Sequence, residues 1–318
     1  MRYRIVFFGT PEFAVPPLQA LLDGPDLVVG VVCQPDKPAG RGQQPQTPPV
    51  KRLAEQRGVA VAQPVKVKTE ELPNLLRSWA PDLAIVAAYG RILPPAVLQA
   101  PRLGCINVHA SLLPKYRGAA PIQWALLRGE TTTGVTIMRM NERMDEGDML
   151  LQRQTTIEPG ETYGALQQRL AGLGATALME ALAALHAGTL RDTPQDGAAA
   201  TYAPMIRKAD GAIDWTQPAQ AIAWRVQAFN PWPSAFTTHG RRLLKVHRAR
   251  ARAPRETASA APGTVLALGE AIGVSTGNGV LDIEELQLEG KRALPAREFG
   301  RGGGLAVGDR LGTPAAEH

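Results

Sequence analysis

An α/β chain is predicted, with a mostly parallel, Rossmann-like sheet in its N-terminal part and a small β-barrel at its C-terminus. Three observations predict it. Short apolar runs alternate with helix-like segments over residues 1–150, the pattern of a parallel sheet covered on both faces. One long amphipathic stretch, Thr162 to Leu185, then closes that half. From Asp214 onward short strands recur between Gly and Pro turns, as in a small barrel.

Taken in order, Ile5–Phe8 reads as a strand and Phe13–Leu22 as a helix. Pro16 and Pro17 fall in that helix's first turn, where a missing N–H costs nothing. Leu27–Cys33 is a buried strand and Pro49–Arg57 a helix. Between them Gln34 to Pro49 holds five prolines and two glycines, so no regular structure is expected there. Leu72–Trp79 is helical, Leu83–Ala87 a strand and Pro94–Leu98 a helical turn. Ile106–His109 is a strand, Ala120–Arg128 a helix and Gly134–Met140 a strand. Thr162 suits an N-cap and Gly188 a stop for the long helix. Leu190 to Tyr202 is Ala/Gly-rich and weakly patterned, and reads as a linker. Pro218–Phe229 is a helix, followed by strands at Ala235–Thr238, Arg242–Arg250, Gly263–Leu268, Ala271–Ser275 and Val280–Leu288. Arg252 to Pro262 is an Ala/Arg/Pro-rich loop.

At 318 residues about two domains are expected, and 44% hydrophobic with 20% charged residues describes an ordinary globular chain. Cys33 and Cys105 sit in apolar, strand-like runs and read as buried thiols in a reducing cytosol. The first apolar run is too short for a signal segment or a membrane span, and no later run is long enough. The net charge of +6 favours an anionic partner. From Arg241 to Arg255 there are seven basic residues and no acidic one. On a strand, Arg248, Arg250 and Arg252 would share a face, either as a charge-protected edge or as a phosphate-contacting stripe. Gly9-Thr-Pro is no dinucleotide fingerprint, and no Cys/His/carboxylate spacing suggests a metal.

The most informative run is Cys105-Ile-Asn-Val-His-Ala-Ser-Leu-Leu-Pro-Lys-Tyr-Arg-Gly-Ala-Ala-Pro121. Asn107 and His109 lie two apart on a strand, so their side chains point the same way. An amide can donate to a developing oxyanion, and an imidazole moves protons near neutral pH. Alone, such a pair is commonly two satisfied polar residues near a turn. A third group strengthens the chemical reading. Asp145, in Met140-Asn-Glu-Arg-Met-Asp-Glu-Gly-Asp148, follows another β-branched run, and Gly147 marks a tight turn that would hold it inward. Asn107, His109 and Asp145 then form an acid/base set with an oxyanion donor, suited to acyl transfer onto an amine.

These segments, with Val6-Phe-Phe-Gly-Thr-Pro-Glu-Phe-Ala-Val15, Gln34-Pro-Asp-Lys-Pro-Ala-Gly-Arg-Gly42, Ala87-Ala-Tyr-Gly-Arg-Ile-Leu-Pro94 and Ala228-Phe-Asn-Pro-Trp-Pro233, resemble the folate-dependent formyltransferases. The closest resemblance is to members that formylate methionine on initiator tRNA, and it runs from about Arg4 to about Leu311. It implies a catalytic domain over 1–189, a linker over 190–208 and an OB-fold-like, tRNA-binding barrel over 209–318. It also implies 10-formyltetrahydrofolate as donor, initiator methionyl-tRNA as acceptor, and no metal. Folate would lie along Ser111, Leu112, Leu113 and Pro114 and the turn of Tyr89, Ile92 and Leu93. Transfer RNA would meet Lys37 and Arg41 of the proline-rich loop, and Arg207, Lys208, Arg248 and Arg250 of the second half. Gln43 and Gln44 stand where relatives commonly carry lysines, which leaves the loop's charge to Lys37 and Arg41. A monomer in the cytoplasm, with no membrane contact, is expected. The alternatives are a formyltransferase for an amino-sugar nucleotide and a non-catalytic RNA-binding relative.

Overall fold

The computed structural model describes residues 2–39, 44–253 and 260–312, without the side chains of 37–39, 44 and 45. Arg41 and Gln43 lie outside the described residues. The chain divides into two compact units. The first comprises Met1–Pro121, Thr132–Thr156 and Gln167–Ala203; the second comprises Ile122–Thr131, Ile157–Leu166 and Pro204–His318.

The first unit carries eleven strands: β1 (Arg4–Gly9), β2 (Leu27–Val32), β3 (Lys37–Ala39), β4 (Gln44–Gln46), β5 (Val61–Ala62), β6 (Leu83–Ala87), β7 (Cys105–His109), β8 (Arg117–Gly118), β9 (Thr132–Arg139), β10 (Met149–Thr156) and β11 (Tyr202–Ala203). Its helical segments are α1 (Val15–Asp23), α2 (Pro49–Gln56), α3 (Glu71–Trp79), α4 (Pro95–Leu98) and most of α6 (Tyr163–His186), while α5 (Pro121–Leu127) falls almost entirely in the second unit. Seven strands form one sheet in the order β10-β9-β7-β6-β1-β2-β5. The run from β5 to β7 is parallel, and β9 and β10 are added antiparallel. Ile5, Val6, Phe7 and Phe8 are completely buried, as both-face coverage of a central parallel strand requires.

The sheet is mostly parallel, as expected, and mixed at the edge nearest the site. In sequence β9 resembles its parallel neighbours, because only pairing, not composition, sets its direction. Two further expectations change here. The proline-rich loop does carry regular structure at its base. β3 and β4 pair antiparallel with Pro38 directly opposite Pro45, so both missing N–H groups fall at one non-hydrogen-bonded position and the flanking pairs survive. The stretch expected as a linker begins with contacts of its own: Thr193 exchanges hydrogen bonds with Met149, and β11 pairs in parallel with β8.

The second unit holds α7 (Ala219–Ala228), β12 (Ala235–His239), β13 (Arg242–Arg252), β14 (Val265–Leu268), β15 (Ile272–Ser275), β16 (Val280–Leu288), β17 (Ala293–Pro295), α8 (Ala296–Arg301) and β18 (Leu311–Gly312). Its antiparallel sheet runs β14-β15-β16-β13-β12-β18, with β17 on β16. The two ends of that order meet. Thr264 bridges Arg310, Val265 N–H donates to Asp309, and Leu311 N–H donates to Gly263. The sheet therefore curls onto itself around Val246, Ile272, Val274, Leu281, Ile283 and Leu286. β13 lies between β16 and β12 only over Arg242–Val246; the stretch carrying Arg248, Arg250 and Arg252 pairs with β16 alone, so the edge-strand reading of these arginines stays open.

Candidate active site

β7 ends in the site. The strand is buried except at Asn107, which is half-buried, and His109, at 5% exposure, must find its partners within the protein. The His109 Nε2 lies 3.0 Å from the Tyr116 carbonyl oxygen. A carbonyl only accepts, so Nε2 carries the hydrogen and the ring's second proton comes and goes at Nδ1. Nδ1 faces the Asp145 Oδ2 at 3.7 Å. That gap is beyond a direct hydrogen bond and leaves the two groups in close electrostatic contact. Among the described residues, nothing hydrogen-bonds the Asn107 side-chain amide. It is a donor left open beside the imidazole.

Asp145 does not arrive as simple sheet geometry would place it. β9 runs antiparallel to β7, so it ends at Arg139, opposite Ile106, away from His109. The loop after β9 must travel back along β7 to bring Asp145 to the imidazole. It does so through Asp145 itself, at φ 54, a left-handed conformation uncommon outside glycine. The Gly118 N–H donates to Asp145 Oδ2 at 2.8 Å and holds the carboxylate there. Gly147 serves by its missing side chain, since a Cβ would stand 2.0 Å from the Arg139 carbonyl oxygen.

The loop after His109 is fixed by one threonine. Thr136 Oγ1 donates to the Ser111 carbonyl at 2.7 Å and receives the Leu113 N–H at 3.1 Å. Gln152 Nε2 bonds the Leu113 carbonyl at 2.8 Å and Thr136 Oγ1 at 3.0 Å. Ser111 is buried, and its hydroxyl donates to the Lys115 carbonyl at 2.6 Å. Of the turn expected to help hold folate, Tyr89 and Leu93 pack into the core with Val6, Phe8 and Val86, while Ile92 is exposed. Burial pushes the Tyr89 hydroxyl up to about 12. Its carbonyl faces the polar side, accepting from Thr10 Oγ1 and Gln34 Nε2. Leu112 and Pro114 are half-buried.

The remaining expected residues lie elsewhere. Lys37 begins β3, whose base is secured by Lys51 Nζ, 3.0 Å from Asp36 Oδ2, and by Gln63. Arg207 and Lys208 are exposed in the second unit. There Arg248 and Arg250 both reach Glu284, at 3.2 and 3.5 Å, and Arg252 pairs with Asp282 at 2.9 Å. A cleft of about 440 Å³ beside them is lined by Thr162, Gln227, His247, Arg248, Arg250 and Glu284. Among the described residues, no cluster of His, Cys, Asp and Glu is placed to hold a metal, and no helix is long and apolar enough to cross a membrane. Cys33 and Cys105 are free and buried, with burial pushing their thiols up to about 11 and about 12.

Sequence reasoning missed Tyr116, Gly118, Thr136, Gln152, Arg117 and Gln195. The first two act through backbone groups, which carry no side-chain signal. Arg117 lay inside a quoted motif, but nothing in the sequence linked it to Gln195.

Fold and site together define an α/β group-transfer enzyme of the formyl transferase class. A family model described as "Formyl transferase" matches residues 3–182, and one described as "Formyl transferase, C-terminal domain" matches 205–304. The methionyl-tRNA formyltransferase of Myxococcus xanthus is 51% identical over 310 residues, covering 97% of this chain and 98% of its own. That of Geotalea uraniireducens is 49% identical with the same coverages. The chain belongs to the methionyl-tRNA formyltransferase family. Solved structures share its fold. An N-formyltransferase from Helicobacter canadensis, in complex with folinic acid and dTDP-3-aminofucose, has a TM-score of 0.65 at 16% identity, covering 88% of this chain and 98% of its own. HypX from Aquifex aeolicus, in complex with tetrahydrofolic acid, has a TM-score of 0.61 at 21% identity. The match covers 95% of this chain and 47% of HypX, about half of that longer protein.

Proposed function

We propose that this protein transfers the formyl group of 10-formyltetrahydrofolate to the free α-amino group of methionyl initiator tRNA. The observation that carries the reading is 47–51% identity to methionyl-tRNA formyltransferases over nearly the whole length, with the His109–Asp145 pair in place. In the net reaction the formyl C–N bond to folate breaks and a C–N bond to the amine forms. The amine's proton ends on the folate nitrogen. An α-amino group titrates near ~7.7–8, so an appreciable fraction is already nucleophilic at neutral pH.

Three residues act on that reaction. The open Asn107 amide donates to the oxyanion as the amine adds, and loss of such a donor typically costs about 10²–10³ in turnover. His109 holds and releases a proton at Nδ1, because its Nε2 hydrogen is committed to the Tyr116 carbonyl. Asp145 faces Nδ1 and orients the ring toward the reacting atoms. Folate is assigned to Ser111, Leu112, Leu113 and Pro114, whose backbone is immobilised by Thr136 and Gln152, and to the exposed Ile92. Tyr89 is assigned through its backbone, and Leu93 supports the turn from the core. Lys37, Arg41, Arg207, Lys208, Arg248 and Arg250 are assigned to the tRNA backbone. Such contacts give affinity and salt dependence rather than sequence choice. The first unit is thus the catalytic half, reaching the tRNA through its proline-rich loop, and the second supplies the other tRNA contacts of a cytoplasmic monomer.

The test supplies purified protein with 10-formyltetrahydrofolate and either methionyl initiator tRNA or an amino-sugar nucleotide. Formylation of the tRNA, lost in His109→Ala, is expected. Formylation of the sugar alone would replace the acceptor and keep the site.

A further inference from the structure

We propose that Gln195, locked by Arg117, is a positioning residue that holds the Asp145 loop against His109, so that the segment following α6 completes the active site. The inference rests on the catalytic reading of Asp145 given above and extends it to residues that touch neither substrate.

Beyond the Gly118 N–H on the Asp145 carboxylate and the Glu146 pair with Arg117, the loop carrying Asp145 needs a hold on its backbone. Its tip, Asn141 to Met144, is exposed, and Asp145 adopts a left-handed backbone conformation. Gln195 supplies what the loop lacks. Its Nε2 lies 2.8 Å from the Asp145 carbonyl and 2.8 Å from the Gly147 carbonyl, so its two N–H groups bridge the residues on either side of Glu146. Its Oε1 receives Arg117 Nε at 3.1 Å and Arg117 Nη2 at 2.9 Å. Both ends of the amide are thus saturated, and its orientation is set by chemistry. Carbonyls can only accept and a guanidinium can only donate, so a flipped amide would oppose like with like at all four contacts.

Arg117 is fixed as firmly. It is 5% exposed, and its third nitrogen, Nη1, lies 3.3 Å from Glu146 Oε1. A buried guanidinium without partners is costly, so this cation and the loop hold each other. The three residues 116–118 then serve the site in turn. The Tyr116 carbonyl takes the His109 hydrogen, the Arg117 side chain locks Gln195, and the Gly118 N–H holds the Asp145 carboxylate. One segment of three residues, Tyr116 and the two of β8, sets the imidazole, the carboxylate and the carboxylate's loop relative to each other.

The experiment is a double-mutant cycle on formyl transfer, using whichever acceptor the wild-type protein formylates. Gln195→Ala is expected to lower kcat by about 10–100-fold, the usual cost of losing an outer-shell partner, with KM for both substrates within about two-fold. In an Asp145→Asn background the same substitution is expected to cost less than about three-fold, since the group it positions is already disabled. Gln195→Glu separates function from folding. It keeps the acceptors for Arg117 but loses both donors to the loop carbonyls, so it should fold stably and match the alanine variant's kcat. A full loss repeated in the Asp145→Asn background would overturn the proposal, as would a rise in KM at unchanged kcat. An independent readout needs no acceptor. The ¹⁵N resonances of the His109 ring should move in Gln195→Ala and Gln195→Glu in the direction that Asp145→Asn moves them, and unmoved resonances would refute the positioning role. Failure of methionyl-tRNA as acceptor would sink the functional reading while leaving both arms of this test in force.

Discussion

The two units handle charge in opposite ways. In the first, the Arg117 side chain is 6% exposed and committed to Glu146 and Gln195. In the second, the Arg248 and Arg250 side chains are 65% and 71% exposed and share a single carboxylate, Glu284. A buried, saturated cation cannot change partners without leaving a charge unpaired, so it fixes geometry. Exposed cations bound to a shared, half-open carboxylate exchange it for a phosphate at little cost, because surface pairs are weak and screened by salt. The same residue type is thus locked in one half and left exchangeable in the other.

The largest break in that comparison comes from the fixed side. Asp145→Asn leaves the shape of the site but removes the charge facing His109 Nδ1. A fall in kcat of about 10²–10⁴ is expected, the range for losing general acid–base assistance, with tRNA affinity unchanged within about two-fold. Single-turnover formylation and filter binding measure the two separately. An equal loss in both would mean that the halves are not divided in this way.

Next is Gly147→Ala. The new methyl would stand 2.0 Å from the Arg139 carbonyl, so the loop must shift. A displacement of about 1 Å at a catalytic group can cost about 10² in rate, and strain of this kind costs about 1–3 kcal/mol of stability. Turnover combined with chemical denaturation would reveal both losses. Wild-type turnover would show that the loop's close approach is incidental.

On the adaptable side, Arg248→Ala with Arg250→Ala should weaken tRNA binding and leave kcat at saturation intact. Each lost phosphate contact should lower the slope of log affinity against log salt by about 0.7–0.9. A titration series from low to physiological salt measures it. An unchanged slope would return both arginines to the role of partners for Glu284.

Much of this was legible in the sequence, and the two units differ here as well. The strands Leu83–Ala87 and Val280–Leu288 fall where their apolar runs put them, because a short β-branched apolar run records burial directly. β10 and β17 escaped because their faces are mixed: Met149–Thr156 is largely exposed or half-buried and reads as loop. At the site, Asn107 and His109 were legible because both sit on one strand with a period of two. The meeting of His109 with Asp145 was not, since β9 runs antiparallel and its loop must double back. Gln195 was least legible of all. A glutamine in an Ala/Gly-rich stretch signals nothing until the fold closes over it.

The smallest effect tests a pair that lies between the two extremes. Lys51 and Asp36 are 19% and 30% exposed at their side chains, neither locked nor free, and they secure the base of the proline-rich loop. Hydrogen bonds from Gln63 and then from Lys51 hold the Asp36 carboxyl below the usual carboxylate range. Its folded value is depressed, so its contribution is present above the unfolded value, near ~3.9, and is lost as pH falls through the lower folded one. Asp36→Asn removes that contribution at neutral pH. The acid-unfolding midpoint of the first unit should rise by well under one pH unit, and the two proteins should behave alike at a pH where Asp36 is protonated in both the folded and the unfolded wild type. Formylation should respond through tRNA, with a modest rise in its KM, because the affected segment leads into Lys37 and Arg41 rather than to His109. A fall in kcat at constant KM would mean instead that the loop's anchor reaches the chemistry, and the division between a fixed centre and an adaptable periphery would have to be redrawn inside the first unit.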